Sequence, residues 1–336
     1  MKSVPVTVGL DYSEKAIRVC VVDGQGQQLF NRDVENSAEA VISAAGRYGT
    51  VRGAAIEACS GAADLAEELV NRSGWIVHMA HPGFVKRMKQ NPDKSDFTDA
   101  HLLGDLERVG YLPQVWIAPK QLRDLRTLVR DRQSLARQRR TIKQQIGALL
   151  RENRQRSPFR SWTQRWYRWL TEQAELGVHS RWVIDRQFVR LASVEHEIGL
   201  IETRLEELTA SDPVVRELDA IPGVGPVTAW TLRAEIGRFD RFRTGKQLSR
   251  FCGLSPRNAS SGSKQADAGL IRAANPQLRQ CLIEAAWALA RHHPRWRTLA
   301  LSMRHAHKPG SLISAAIANR FVRWLWHHMV THTLAT

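Results

Sequence analysis

Two apolar runs end in carboxylates, and this constrains the fold more than any other feature. Val6-Thr7-Val8-Gly9-Leu10 runs into Asp11, and Gly53-Ala54-Ala55-Ile56 runs into Glu57. A third acidic place, the pair Asp96 and Asp99, opens the helical stretch Lys94–Leu103. Carboxylates at the ends of apolar strands are costly to leave unpaired. Capping explains some of them singly: Asp11 as a turn cap with Ser13, Asp96 as an N-cap with Asp99 in the first turn. Glu57, inside an apolar run and before Ala58-Cys59-Ser60-Gly61, resists that reading. Asp96 and Asp99 stand three apart, on one side of a helix. Taken jointly, the four favour a hard divalent cation such as Mg²⁺, which prefers carboxylate oxygens and water. Two such ions are a standard device for phosphodiester chemistry.

The order of elements around these residues is equally restrictive. Val6–Asp11 and Ala16–Asp23 read as strands, and Asp23-Gly24-Gln25-Gly26 reads as a hairpin turn into a returning strand, Gln28–Val34. Helical Ala38–Arg47, strand Val51–Glu57, amphipathic Ala62–Arg72 and strand Trp75–Met79 follow, with Pro82–Gln90 a further helix. Three meandering strands followed by alternating helices and strands is the order of an α/β ribonuclease-H-like sheet. The actin-like ATPase fold begins the same way, but no further glycine-rich phosphate loop follows in residues 60–112.

From residue 121 the pattern changes. Leu128, Leu135, Ile142 and Leu149 recur every seven residues, flanked by Leu125 and Ile146. Leu191, Val194, Ile198, Ile201, Leu205 and Leu208 alternate three and four. Both are coiled-coil seams and predict an antiparallel hairpin or a dimerising coiled coil. The first helix is also strongly basic. Residues 121–168 hold fourteen Lys and Arg, among them Arg137, Arg139, Arg140, Lys143, Arg151 and Arg154, against Asp124, Asp131 and Glu152. That is +11 of a formal net charge of +16, in a chain with pI near 10.4. A coiled coil needs no such bias, whereas a polyanionic partner does. Trp162, Trp166, Tyr167 and Trp169 lie close by, so a phosphate-binding face with stacking rings is expected; a solvated basic helix with interface tryptophans is the plainer account. Charge alone does not separate RNA from DNA.

Residues 211–336 read as mainly helical. Ile221-Pro222-Gly223-Val224-Gly225-Pro226 precedes a helix at Ala229–Ile236 and matches a helix-hairpin-helix. Gly223 and Gly225 permit a tight turn whose amides open toward a backbone phosphate. An ordinary Gly-Pro turn between packed helices is the alternative. Downstream, Ser260-Ser261-Gly262 lies between Arg257 and Lys264, and a serine beside cations has the makings of a nucleophile on phosphorus. His327, His328 and His332 read as a helix end rather than a metal site, for lack of a third ligand at matching spacing. The four cysteines are far apart and read as reduced, mostly buried thiols. With 336 residues at 43% hydrophobic, the chain can support two or three domains with real cores. No run is long enough to span a bilayer. No signal peptide is visible, and a cytoplasmic location is expected.

Taken in order, these motifs resemble the transposases of the insertion-sequence 110 and 1111 group. Gly9-Leu10-Asp11, the Glu57 strand, Lys94-Ser95-Asp96-Phe97-Thr98-Asp99-Ala100, the Ile221–Gly225 turn, Gly253-Leu254-Ser255-Pro256 with Ser260-Ser261-Gly262, and Asn275-Pro276-Gln277-Leu278-Arg279 carry the resemblance over nearly the whole chain. It implies a RuvC-type catalytic domain (1–115), a basic coiled-coil insertion for RNA binding and oligomerisation (116–210) and a C-terminal transposase domain (211–336). It implies site-specific recombination of donor and target DNA, directed by a structured noncoding bridge RNA. Asp11, Glu57, Asp96 and Asp99 would bind Mg²⁺, and Ser261, with Ser260 its neighbour, would form a covalent phosphoserine link. The assembly would be a dimer to tetramer, its active site shared between subunits. Ala274 replaces the family's usual glycine after the serine, while Arg272 keeps the charge there. Beside this stand a junction-resolving nuclease using water, a sugar kinase or ATPase, and a non-enzymatic nucleic-acid scaffold.

Overall fold

The computed structural model describes residues 4–88, 96–258, 267–271 and 274–333. The chain packs as two units, 1–120 and 121–336. The first is a sheet with helices: β1 Pro5–Tyr12, β2 Ala16–Val22, β3 Gln28–Glu35, α1 Ala38–Gly46, β4 Thr50–Glu57, α2 Ala62–Ser73, β5 Val77–Ala80, α3 Pro82–Met88, α4 Asp96–Arg108 and β6 Gln114–Val115. The strand order is β3-β2-β1-β4-β5-β6. β1, β2 and β3 pair antiparallel, while β1–β4 and β4–β5 pair parallel. This is the expected ribonuclease-H-like arrangement, with the two-residue β6 added antiparallel at the edge.

Strand alternation gives the sheet two different faces. Val6, Val8 and Leu10 join Ile17, Val19 and Ile56 in a core with Val41 of α1 and Leu65 and Leu69 of α2. The opposite face carries small residues, and α4 lies on it. A Cβ on Gly9 would stand 1.9 Å from the carbonyl oxygen of Ala100 and 2.5 Å from the amide of Gly104, so strand and helix touch backbone to backbone there. Thr7 donates its hydroxyl to the Gly104 carbonyl at 3.3 Å. Leu103 and Leu106 pack with Ala55, and Ala100 with Cys20 and Val22. At the far end of α4, Glu107 Oε1 meets His78 Nδ1 at 2.8 Å.

The second unit holds α5 Lys120–Glu152, α6 Gln164–Glu172, α7 Val178–Thr209, α8 Pro213–Asp219, α9 Pro226–Ile236, α10 Gly245–Phe251, a hairpin of β7 Pro256–Asn258 and β8 Asp267–Leu270, then α11 Pro276–His292, α12 Pro294–His305 and α13 Gly310–Thr333. α5 and α7 run antiparallel, because Arg132 reaches Glu202, Lys143 reaches Glu195 and Asn153 reaches Ser180. The buried stripe of α5 differs from the expected sevens. Leu122, Leu125, Val129, Ile142, Ile146 and Leu150 are buried, while Leu128, Leu135 and Leu149 flank them half-buried. Over its second half the cause is α6, which packs Trp166, Trp169 and Leu170 in one cluster with Ile142, Ile146, Leu150, Ile184 and Leu191 and draws the stripe around. On α7, Leu191, Ile198 and Leu205 are buried as expected, but Leu208 is 50% exposed.

Candidate active site and nucleic-acid interface

Asp11 and Glu57 end adjacent parallel strands one step beyond the register pair Leu10–Ile56. By alternation Asp11 shares the face of Thr7 and Gly9, and Glu57 that of Gly53 and Ala55, which is the face α4 covers. α4 lies with Ala100 over Gly9 and Glu107 beside Gly53, so its N-terminal turn heads toward the Asp11 and Glu57 ends of the strands. That turn begins at Asp96 and contains Asp99, which is only 6% exposed. Asp11 and Glu57 are half-buried. Cys59, exposed just past Glu57, senses the same cluster. Partial burial pushes its thiol pKa up, and the charges of Glu57 and Asp11 push it further.

The placement suits a hard cation: oxygen donors only, carried on three elements and gathered at one end of one sheet face. Asp11, Glu57 and Asp99 are not themselves clustered as a metal site: among the described residues no group of three or more His, Cys, Asp or Glu is placed to hold a metal ion. The side chain of Asp96 lies outside the described set, as do Ser260, Ser261, Lys264 and Arg272. Arg257 is exposed on β7, the strand leading into that serine segment.

In the second unit, predicted residues that lie far apart in the chain line one cleft of about 1060 Å³. Arg137, Arg139, Arg140, Lys143 and Arg151 of α5 face the Gly223–Gly225 turn and α11 across it. Glu284 is the one carboxylate among its lining residues, and it reaches Arg140 at 3.6 Å between two exposed side chains, a weak tie. Lys143 also pairs with Glu195 at 3.0 Å and lies 4.9 Å over the Trp162 ring. Trp162 stands in the cleft wall with φ 68, a left-handed conformation rare for a bulky residue.

Three expectations for this region need amendment. Trp166 and Trp169 are 2% and 6% exposed and belong to the core; Trp166 touches the cleft wall but shows almost no surface there, so Trp162 is the tryptophan of this group with a ring open to a ligand. Gly223 has φ +95, and a Cβ there would stand 2.9 Å from the Leu289 amide, so its glycine serves packing on α11. Gly225, the N-cap of α9, has open space around it instead. Arg154 does not line the cleft; with φ 56 it closes α5, the Gln155 amide bonding back to the Leu150 carbonyl at 2.8 Å.

Sequence reasoning missed two features. Glu235 is 3% exposed and accepts from Arg130 at 2.7 and 3.0 Å and from the Asn275 amide at 2.8 Å, tying α9 to α5 and to the start of α11. Nothing in the local pattern around Glu235 marks a buried carboxylate. The second was legible: residues 241–336 hold fifteen Lys and Arg against Asp267 and Glu284 alone. His328, placed at a helix end, bonds Glu217 at 2.6 Å.

Comparison with known proteins now decides the family. A profile described as the Transposase IS116/IS110/IS902 family matches residues 215–300, and a second transposase profile, of the IS110 DEDD type, matches residues 8–154. The chain belongs to the IS110 family of transposases. The transposase for insertion sequence element IS1111A of Coxiella burnetii is 26% identical over 87% of this chain and 79% of its own. A probable family 20 transposase of Pseudomonas aeruginosa is 27% identical, covering 81% and 82%. The putative transposase y4qE of Sinorhizobium fredii is 32% identical over 68% of this chain and 56% of its own. Among solved structures, T. thermophilus RuvC in complex with a Holliday junction substrate matches 33% of this chain and 99% of its own at 16% identity, with a TM-score of 0.25. The fold assignment rests on the sheet, not on that likeness. As a family member the chain is a DNA-processing transposase, and among the described residues no helix is long and apolar enough to cross a membrane.

Proposed function

We propose that this transposase cuts and rejoins DNA at a site where Asp11, Glu57, Asp96 and Asp99 hold Mg²⁺ and Ser261 supplies the attacking oxygen. The observation that carries the reading is the placement of Asp11 and Glu57 side by side at the ends of β1 and β4, with the N-terminal turn of α4 directed to the same place. The chain order of the four residues is Asp, Glu, Asp, Asp, and all four fall within residues 8–154, the span matched by a profile whose name carries the letters DEDD. A divalent ion held there stabilises the charge that builds on the phosphoryl oxygens. Ser261 Oγ gives up its proton and forms a bond to phosphorus as the bond to the departing strand oxygen breaks, and that oxygen takes a proton. A free DNA hydroxyl later reverses the step on a new strand, so no nucleotide hydrolysis is required. Arg257 and Lys264 flank the serine in sequence and offer charge to the same phosphate.

The basic cleft is the nucleic-acid face. The Gly225 amide at the start of α9 suits a backbone phosphate, as a helix-hairpin-helix would use it, and Arg137, Arg139 and Arg151 add charge. The α5–α7 hairpin would hold the structured guide RNA and support assembly into a dimer or tetramer whose active sites take carboxylates from one subunit and serine from another. Trapping on a nicked DNA substrate tests the central claim. A covalent protein–DNA adduct is expected with the native chain and none with Ser261→Ala; cleavage that survives in Ser261→Ala without an adduct would assign water as the nucleophile.

A further inference from the structure

A second concentration of charge stands outside the cleft. Lys246 of α10, Arg295 of α12, and Arg320 and Arg323 of α13 surround a groove of about 700 Å³ whose wall includes Trp324 and Trp326. All four cations are exposed, and no carboxylate lines the groove. Arg320 reaches only a carbonyl of its own helix, Ala316 O at 3.4 Å, and Arg295 covers the Trp296 ring at 4.9 Å. None of the four has an ion-pair partner among the described residues.

Packing holds these charges together against their repulsion. A Cβ on Gly245 would stand 2.8 Å from the Arg323 carbonyl oxygen, so the start of α10 is seated on the backbone of α13 and Lys246 is set beside Arg323. Arg320 and Arg323 are three apart on one helix and face the same way. The tryptophans are committed elsewhere. Trp326 Nε1 donates to the Phe242 carbonyl at 3.0 Å, and Trp324 stacks on His328 at 4.9 Å. The groove thus presents four exposed cations beside two half-buried tryptophans, one held by its N–H and one stacked on a neighbour, which suits a backbone contact better than a base reader.

We propose that this groove binds the sugar-phosphate backbone of duplex DNA, independently of sequence, as a contact separate from the basic cleft. The duplex is favoured because the chain is a transposase and because exposed cations, not rings, dominate the groove's surface. Such binding depends on neither Ser261 nor the carboxylates.

The test is equilibrium binding of the full chain to two unrelated mixed-sequence DNA duplexes, by fluorescence anisotropy over a range of salt without divalent metal. In Lys246→Gln/Arg320→Gln/Arg323→Gln the slope of log K against log salt is expected to fall by about 0.9 for each phosphate no longer neutralised, equally on both duplexes. The single variants Arg320→Gln and Arg323→Gln keep the test open should the triple variant fold poorly, each with its own smaller fall. An unchanged slope overturns the proposal. So does a reduction confined to RNA of the same length, which would assign the groove to the other nucleic acid. Because nothing is cut, a failed serine mechanism leaves this result intact.

Discussion

The acidic face of the first unit and the basic cleft of the second are built on opposite principles. Asp11, Glu57 and Asp99 are placed by backbone contact, where β1 and α4 approach so closely that even a methyl group on Gly9 finds no room. The cleft is placed by long side chains on α5, several of them exposed, around a turn and a neighbouring helix. The metal site proposed for these carboxylates would need its oxygens held closely, and a rigid sheet end is suited to that. Polyanion binding needs charge density, which flexible arginines supply with wide tolerance. The first region should fail abruptly on small changes and the second by degrees.

The largest expected effect is Gly9→Ala. It should destabilise the chain by about 3 kcal/mol, the upper end of the usual cost of overpacking, since the clash is with backbone and only movement of α4 relieves it. Urea unfolding measures this, and wild-type stability would break the contrast at its root. Asp99→Asn and Glu57→Gln come next. Strand exchange should drop by at least about 100-fold, the scale of losing one preorganised charge at a reacting group, with melting little changed. Activity near wild type in either would remove that carboxylate from the site.

Glu235→Ala tests whether the second unit also holds one exacting contact. It leaves the Asn275 amide and Arg130 without their buried acceptor, and a loss of about 2 kcal/mol is expected, moderated because half of the Arg130 side chain is exposed. A neutral result would make the cleft tolerant throughout. Smallest are Arg137→Gln, Arg139→Gln and Arg151→Gln. Each should reduce the salt slope of nucleic-acid binding by about 0.9 and leave folding untouched. A single one of them abolishing binding would show that the cleft, too, depends on fixed geometry.

Much of this was legible from residue types. Strand alternation and the Asp23–Gly26 turn announced the sheet, and the carboxylates at strand ends marked where a site is proposed, because period and burial are local properties. The seam of α5 was misplaced, since sevens mark a helix face only until a third helix competes for it, as α6 does with Trp166 and Trp169. Glu235 escaped because its partners, Arg130 and Asn275, are 105 and 40 residues away. Gly9 carried a usable signal, for a glycine inside a strand often marks close approach of another backbone.

By itself the sequence determined the order of strands, the four carboxylates, the run of cations on α5 and the motifs that mark the family. Each follows from composition and spacing along a short stretch. Only the tertiary structure decided that α4 crosses the sheet at Gly9, that the α5 arginines and the Gly223–Gly225 turn share one cleft, and that four C-terminal cations meet in a groove without a carboxylate. These are long-range juxtapositions, set by how whole helices fill space against one another, and no local pattern encodes them.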